Sequence, residues 1–289
     1  MRNDAVSAVA GHFTILPLRL SFRLGADCEL PVFKGSMWHG WLGQALKSHD
    51  EHAFFVLFGE HAEGQPKPYS VVVEDDQRSH WRKGELIHFT LYLFAEACQL
   101  AERIVEALQA GCRLGLGKAR TRVQLLSVAS QTPDGLKPGI QPSVLGSWLT
   151  PMNSGFSQEV ALEFVTPLRL KVAQQQLRKS PPLAILCQQI KRRLTLLTRF
   201  WLCDDNTLLQ GLHQSLPVLG QHEHSDFMYF ENWQRFSNKQ QAQIPFGGMK
   251  GQSSYCGEIA DAIPWLQLGE LIGIGGKTTF GLGRYRLIA

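Results

Sequence analysis

The stretch Gly281-Leu-Gly-Arg-Tyr-Arg286 repeats, 166 positions later, the pattern of Gly115-Leu-Gly-Lys-Ala-Arg120. A second motif behaves in the same way, because Pro17-Leu-Arg-Leu20 returns 150 positions later as Pro167-Leu-Arg-Leu170. Each copy of the second motif opens one half of the chain, and each copy of the first motif closes one half. Two motifs in the same order at similar offsets indicate a duplicated domain, and two copies are too few for a solenoid.

The hydrophobic pattern between these motifs has the same order in both halves. In the first half, we predict a helix that is capped by Ser36 and runs to about Lys47, an apolar helix at 51–58 and a helix at 96–110. The predicted strands of this half are 12–24, 69–75, 85–94 and 119–129. In the second half, helices are predicted at 182–202 and 266–272, and strands at 158–172, 227–236, 242–259 and 279–288. Each half therefore predicts the β-α-β-β-α-β order of a ferredoxin-like domain.

The predicted fold class is α+β, with two tandem ferredoxin-like domains of the RRM-like kind. The first domain is expected to cover residues 1–130 and the second residues 156–289. The interval 131–155 contains four prolines and four glycines, and this composition favours a linker.

The composition excludes several classes of protein. The chain has 289 residues, of which 44% are hydrophobic and 19% are charged, so it is not intrinsically disordered. Its six cysteines include no CxxC pair, which argues against a zinc ribbon or a thioredoxin-type site. The sequence shows neither a signal-type N-terminus nor a long uncharged apolar run, so we expect a cytoplasmic protein with reduced thiols.

The positive charge is unevenly distributed. Residues 1–150 carry 15 Lys and Arg against 15 Asp and Glu, whereas residues 151–289 carry 14 against 10, so the whole excess of +4 lies in the second half. A basic half that is still hydrophobic favours a polyanionic partner.

The glycine-rich segment at 273–284 resembles a phosphate-binding loop but lacks its requirements. A P-loop needs a glycine at the position of Leu271 and a long helix after Lys277, and only a strand-like dozen residues follow. The 115–117 segment lacks the third glycine of a dinucleotide fingerprint. Two interpretations remain open for both turns: close approach to RNA phosphates helped by Lys118, Arg120, Lys277 and Arg284, or tight packing of helix on strand.

Two further basic elements carry the same ambiguity. Arg192 and Arg199 are seven positions apart in the helix at 182–202 and share the face opposite its apolar stripe. Residues 235–250 suggest an extended basic hairpin with Arg235, Lys239 and Lys250. Both elements are candidates for RNA contact, and both are equally consistent with solvated surface charge.

Among ten histidines, His39 is the best candidate for acid–base chemistry. It lies in the first turns of a helix, between Trp38 and Trp41, where a partly desolvated imidazole can transfer protons near neutral pH. A structural role at the core edge is the alternative. The His49/His52 and His222/His224 pairs lack a third ligand nearby in sequence, so neither a metal nor another cofactor is predicted.

Four segments together resemble one known family. They are LPVFKGSMWHGWLGQALK (30–47), RLGLGKAR (113–120), EFVTPLRLK (163–171) and GELIGIGGKTTFGLGRYRL (269–287). The chain resembles the CRISPR-associated endoribonuclease that processes precursor CRISPR RNA, the Cas protein numbered six of the RAMP superfamily. The resemblance spans nearly the whole chain, and the C-terminal segment is its most specific part.

The resemblance implies a metal-independent cleavage of a CRISPR repeat stem-loop. In this reaction a 2′-hydroxyl attacks the neighbouring phosphate and leaves a 2′,3′-cyclic phosphate and a 5′-hydroxyl. His39 matches the histidine that acts as base or acid in many members, Lys47 is a candidate for stabilising the phosphorane charge, and His49 and His52 stay in reserve. Some members pair the histidine with an upstream tyrosine, yet no tyrosine precedes Tyr69 here.

The resemblance leaves two functions open. The first is the endoribonuclease, with crRNA and other CRISPR subunits as its partners. The alternative is a non-catalytic RNA-binding RAMP subunit of a CRISPR effector complex, which would share the fold and the glycine-rich turns.

Overall fold

The computed structural model of the chain describes residues 4–60, 62, 64–73, 77–150, 159–172, 174–232, 234–237 and 242–288. The helices of the first half are α1 (Asp4–His12), α2 (Gly35–His49), α3 (Glu51–Phe58) and α4 (Ala101–Gly111). Its strands are β1 (Thr14–Leu24), β2 (Cys28–Glu29), β3 (Tyr69–Val73), β4 (His80–Trp81), β5 (Leu86–Phe94), β6 (Val123–Thr132), β7 (Gly135–Pro138) and β8 (Ser143–Val144).

The first sheet has the strand order β3-β5-β1-β6-β7, and its neighbouring strands are antiparallel. The four predicted strands therefore stand in the order second, third, first, fourth, which is the ferredoxin-like arrangement. Strand β1 alternates as predicted, because Leu18, Leu20 and Phe22 are buried while Arg19 and Arg23 are exposed. On the buried side, α2 contributes a stripe that includes Trp38, Trp41, Leu42, Ala45 and Leu46.

Helix α2 begins two residues earlier than predicted. Ser36 is its second residue rather than its N-cap, and the cap position belongs to Lys34, whose backbone is already helical at φ −85° and ψ −8°. The buried ammonium of Lys34 donates to the carbonyl of Arg78 over 2.8 Å. Lys34 thus anchors the start of the helix that carries His39.

The predicted linker is largely built into the first sheet. Strand β6 continues to Thr132, and a two-residue turn at Pro133–Asp134 leads into β7, which pairs with it. Strand β8 then pairs with the start of β1, and residues 151–158 lie outside the described residues. Within the described part of this interval, Gly135 and Pro138 begin and end β7, and the linker and the domain boundaries stay a prediction.

The second half repeats the first sheet's arrangement. Its helices are α5 (Leu183–Trp201), α6 (Asn206–Gln214) and α7 (Ile263–Ile272). Its strands are β9 (Glu159–Leu168), β10 (Lys171–Val172), β11 (Gln175–Gln176), β12 (His222–Glu231), β13 (Gln234–Ser237), β14 (Ala242–Pro245), β15 (Gly248–Gly257) and β16 (Tyr285–Ile288). The antiparallel order β12-β15-β9-β16 again reads second, third, first, fourth.

The prediction for α5 is confirmed, since its apolar stripe is buried at Leu183, Leu186, Ile190, Leu194, Leu197 and Trp201. Helix α6 was not predicted; Asp205 caps it by accepting hydrogen bonds from the amides of Thr207 and Leu208. The predicted hairpin is present as β13 paired with β14. Among the described residues, no helix is both long enough and apolar enough to cross a bilayer.

The two halves share a core. Ile15 and Phe94 of the first sheet belong to the same buried cluster as Leu162 and Leu194 of the second half. The indole of Trp201 also donates to the carbonyl of Pro66 over 2.7 Å. Burial of several large side chains at this junction, each stabilising by about 2 kcal/mol, fixes the two halves against each other.

Candidate functional site

His39 lies half-buried on α2, where the two halves of the chain meet. Its ring packs on Phe280 of the second half, with 3.8 Å between ring centroids, and on Phe58 at the end of α3, with 5.0 Å. Its neighbours Trp38 and Trp41 are buried in the first core. His39 therefore lies at the edge of the first core, and its ring has aromatic contacts from both halves.

A tyrosine is hydrogen-bonded to this histidine. The hydroxyl of Tyr69 lies 3.1 Å from His39 Nδ1, and the phenol is 1% exposed. Burial holds the pKa of Tyr69 well above its usual value, so the phenol stays protonated at neutral pH. Sequence reasoning looked for a tyrosine upstream of the histidine, whereas β3 supplies it from downstream. The available signal was the alternation of Tyr69, Val71 and Val73 toward the helical face.

The main chain of the second half supplies the other partner of His39. The carbonyl oxygen of Thr279 lies 3.2 Å from Nδ1. Because a carbonyl only accepts, this hydrogen bond needs a proton on Nδ1, which leaves Nε2 with a lone pair. This tautomer can accept a proton at Nε2, and the doubly protonated ring can donate one from the same atom.

Glycines allow the second half to approach α2 this closely. A Cβ atom on Gly35 would lie 1.9 Å from the carbonyl oxygen of Phe280. Lys277 and Gly281 flank the short 3₁₀ turn Thr278–Phe280 in left-handed conformations, at φ 68° and 85°. The segment that holds His39 thus depends on a turn that most side chains would not permit.

A cationic cleft lies beside this turn. A cavity of about 430 Å³ between α5, residues 169–176 and residues 275–277 is lined by Arg169, Lys171, Arg192, Arg193 and Lys277, and none of the described residues that line it is acidic. Lys277 is two positions from Thr279, so the cleft and the His39 site share one segment. Five cations without a compensating carboxylate create a potential that attracts an anionic ligand.

Two of these arginines are held in place by main-chain carbonyls. Arg169 donates to Gly247 over 2.7 Å and Arg193 donates to Ile272 over 2.8 Å. Burial lowers the pKa of Arg193 to about 10 and also lowers the pKa of Arg169. Nη2 of Arg193 is buried without a hydrogen-bond partner among the described residues. These guanidinium groups are positioned before any ligand arrives.

Arg284, which was predicted to contact RNA, has its hydrogen-bond partners within the protein. Its guanidinium donates to the hydroxyl of Tyr92 over 2.7 Å and to the carbonyl of Glu270, and it lies over the Tyr92 ring at 4.8 Å. Tyr92 belongs to the first sheet, so Arg284 joins the two halves. Because Arg284 is half-buried, leaving its charge unpaired would cost more free energy than pairing it with these two oxygen atoms.

The structure brings the other predicted residues together only in part. Lys47 is exposed in the last turn of α2, about 12 Å along the helix from His39, so it is not part of the same site. Lys118 and Arg120 are exposed on the first glycine turn, where Arg120 donates to Gln44 over 3.1 Å.

The remaining candidates lie on the second half. Arg199 is exposed, 3.6 Å from Asp204, and Lys250 is half-buried on β15. Arg235 lies in β13, and Lys239 lies outside the described residues. Among the predicted RNA-contacting cations whose side chains the structure describes, Arg192 and Lys277 line the cationic cleft.

The structure offers no metal-ligating cluster of three or more His, Cys, Asp or Glu side chains within its described ranges. The reserve histidines His49 and His52 lie exposed around Asp50. Asp50 accepts two hydrogen bonds from Arg103, over 2.7 and 2.8 Å, and caps α3 through the amide of Ala53. Its carboxylate is therefore already used in holding α3.

Two protein-family models match this chain, one in each half. Residues 162–285 match the family model of the CRISPR-associated endoribonuclease Cas6, and residues 13–145 match a model described as the AF_1859 N-terminal domain. The second half of the chain is therefore similar to Cas6. No curated protein sequence matches it.

Solved structures similar to this chain agree on the fold. A partial Cas6-RT-Cas1–Cas2 complex contains a chain with a TM-score of 0.62 and 16% identity; the match covers 96% of this chain and 46% of that one. A Cas6 product complex gives 0.57 and 15%, with 94% and 100% covered. Thermus thermophilus Cas6 gives 0.55 and 13%, with 96% and 99% covered.

The chain spans less than half of the two Cas6-RT-Cas1–Cas2 chains that it matches, 46% of one and 29% of the other. At these identities the likeness establishes the fold of the chain. The chemistry must be argued from its own residues.

Proposed function

We propose that this protein is a Cas6-type endoribonuclease that binds CRISPR repeat stem-loops and cleaves precursor CRISPR RNA without a metal ion. The observation that carries the proposal is the position of His39, whose Nδ1 lies near both Tyr69 and Thr279. An imidazole that is oriented in this way can transfer protons near neutral pH. The family match of residues 162–285 and the Cas6 product complex among similar structures support RNA as the substrate.

The proposed reaction needs proton transfers and a fixed phosphate. The ribose 2′-oxygen loses its proton and bonds to the adjacent phosphorus, and the bond from phosphorus to the 5′-oxygen breaks as that oxygen gains a proton. The products are a 2′,3′-cyclic phosphate and a 5′-hydroxyl. Nε2 of His39 accepts the first proton or donates the second, while RNA phosphates bind the cations of the adjacent cleft.

The phenol of Tyr69 is proposed as a positioning group. It is buried under the imidazole and stays protonated, so it holds the ring without exchanging protons itself. Lys47 loses its proposed role in charge stabilisation because of its distance along α2. Lys277, two positions from Thr279, replaces it as the candidate cation.

The decisive experiment uses a repeat stem-loop RNA in EDTA, beside the same RNA with a 2′-deoxy nucleotide at the cut site. We expect cleavage of the first and none of the second. His39→Ala should slow cleavage by about 10²- to 10⁴-fold and leave RNA affinity unchanged. His52→Ala removes an exposed histidine from the neighbouring helix and serves as the matched control.

Each contrary outcome of this experiment would exclude one part of the proposal. Binding without cleavage of the unmodified RNA would establish the non-catalytic RNA-binding subunit instead. Cleavage of the 2′-deoxy RNA would exclude attack by the 2′-hydroxyl, and full activity of His39→Ala would remove His39 from the reaction.

A further inference from the structure

Two exposed aromatic rings lie side by side on the open face of the second sheet. Phe227 is 69% exposed and Tyr229 is 55% exposed, and both belong to β12. Side chains two positions apart in a strand project from the same face, roughly 7 Å apart. Two large rings side by side in water indicate a surface that a ligand covers.

The strand that carries these rings is anchored from its other face. His224 stacks on buried Tyr255 with 4.6 Å between ring centroids, and Met228 and Phe230 pack against the core. The carboxylate of Asp226 also accepts a hydrogen bond from the amide of Ser180 over 3.1 Å. Because the inward side chains are fixed, Phe227 and Tyr229 are held outward on a rigid support.

The neighbours of the two rings are polar. In the β12–β15 pairing, Phe227 stands opposite Gln252 and Tyr229 stands opposite Lys250, and the next position on this face pairs Ser225 with Ser254. Among the described positions of this pairing, the exposed apolar area therefore comes from the two rings, far below the roughly 1,200 Å² that a stable protein interface buries. Two flat rings beside an ammonium and an amide match the chemistry of unpaired nucleotides.

We propose that Phe227 and Tyr229 form a stacking platform for two bases of single-stranded RNA, with Lys250 contacting a phosphate beside them. The platform lies on the sheet face of the second half, whereas His39 is held from α2. The platform extends the proposed function by assigning a separate surface to unpaired nucleotides. It rests on that proposed function only for the choice of RNA as the ligand.

The test measures binding of an unstructured RNA of about eight nucleotides to the full chain by fluorescence anisotropy. We expect Phe227→Ala and Tyr229→Ala each to weaken binding by about 5- to 100-fold. Phe227→Tyr and Tyr229→Phe keep the ring faces and should keep affinity within about twofold. Phe55→Ala is the matched control, because Phe55 is 60% exposed on α3, and it should leave binding unchanged.

An abasic RNA of the same length separates stacking from charge. It keeps the phosphates without the bases, so its affinity should not change in the Phe227→Ala/Tyr229→Ala variant. Equal losses for both RNAs, or no loss for either, would overturn the platform. Self-association without RNA that disappears in the double variant would assign the rings to a protein contact and would also overturn it.

Cleavage measured in parallel keeps the two proposals apart. His39→Ala should lose cleavage of repeat RNA and keep its affinity for the short RNA, whereas the double variant should lose affinity for the short RNA. Loss of cleavage in His39→Ala with ring-independent RNA binding would leave the proposed nuclease standing and refute the platform alone.

Discussion

The two glycine turns share a sequence pattern and differ in what they contact. The first turn closes on its own half, since a Cβ on Gly115 would lie 2.1 Å from the carbonyl of Arg120, and Leu116 and Thr121 exchange main-chain hydrogen bonds. The second turn crosses to the other half, where Phe280 packs on His39 and Gly281 approaches the carbonyl of Val71.

This difference teaches that a duplicated motif keeps glycines with positive φ while its contacts change. Gly117 and Gly283, which are equivalent in the repeat, both have positive φ, at 68° and 72°, so both positions need the same conformational freedom. The first turn stabilises one sheet, whereas the second also completes the surroundings of a histidine in the other half. The contacts of each turn decide its function.

Alanine at each turn tests the contrast most strongly. A Cβ on Gly283 would lie 1.8 Å from the carbonyl of Ile274, so Gly283→Ala and Gly115→Ala should both destabilise by at least about 1–2 kcal/mol. Only Gly283→Ala should slow cleavage by folded protein, by about 100-fold, because it displaces the segment that holds His39. Single-turnover cleavage below both melting temperatures measures this, and equal slowing in both variants would contradict it.

Tyr69→Phe should have a smaller effect on the same site. Loss of one hydrogen bond to His39 should lower the cleavage rate by about 5- to 10-fold, with unchanged affinity for repeat RNA, since the buried phenol does not reach the ligand. Tyr229→Phe removes an exposed hydroxyl and is the control. A change in affinity with an unchanged rate would show that Tyr69 shapes the RNA-binding surface instead.

The lysines of the two turns sharpen the comparison further. Lys277 lines the cationic cleft and Lys118 does not. We expect Lys277→Ala to weaken RNA binding by about 3- to 10-fold and to reduce the salt dependence of log K by about 0.7 for the lost phosphate contact. Lys118→Ala should cause a smaller loss of RNA affinity than Lys277→Ala. Titrations at several salt concentrations decide the order, and a larger loss for Lys118→Ala would move the main RNA surface to the first half.

Two helix caps provide the weakest test, on stability alone. Asp50 caps α3 and pairs with Arg103, whereas Asp205 caps α6 through Thr207 and Leu208. Asp50→Ala should cost about 1–2 kcal/mol and Asp205→Ala about 1 kcal/mol. Urea unfolding at neutral pH compares them, and a larger cost for Asp205→Ala would show that the Arg103 pair adds nothing.

The Asp50 contribution should also depend on pH. Burial alone would raise the pKa of Asp50, but the amide of Ala53 and the guanidinium of Arg103 outweigh it and lower the pKa below the usual 3.8. The folded state therefore holds its proton less tightly than the unfolded state. The stabilisation is complete above pH 3.8 and disappears as the pH falls through the lowered value, so the difference from Asp50→Ala should shrink in acid.

The fold followed from local patterns. Alternation along β1, the apolar stripe of α5 and the repeated motifs are all readable over short windows, and each was confirmed. The interval 131–155 was less readable, because prolines and glycines mark strand ends within a sheet as well as linkers. Strands β7 and β8 come from that interval.

The site was only partly predictable. His39 carried a local signal in its position between two tryptophans. Tyr69 reaches it through sheet topology, and Thr279 contributes a main-chain carbonyl, for which its side chain gives no indication. The inward use of Arg284 depends on Tyr92, 192 positions away, and such long-range pairing has no local signature.

The carbonyl that holds His39 belongs to a residue 240 positions later in the chain. At about 5–20 residues per second, ribosomes make that interval in roughly 10–50 s. A growing chain therefore displays the histidine of its first half long before the turn that holds it exists. Under the proposed function, cutting activity is acquired only after the second half has been made, and we expect nascent chains not to cleave the RNA around the ribosome.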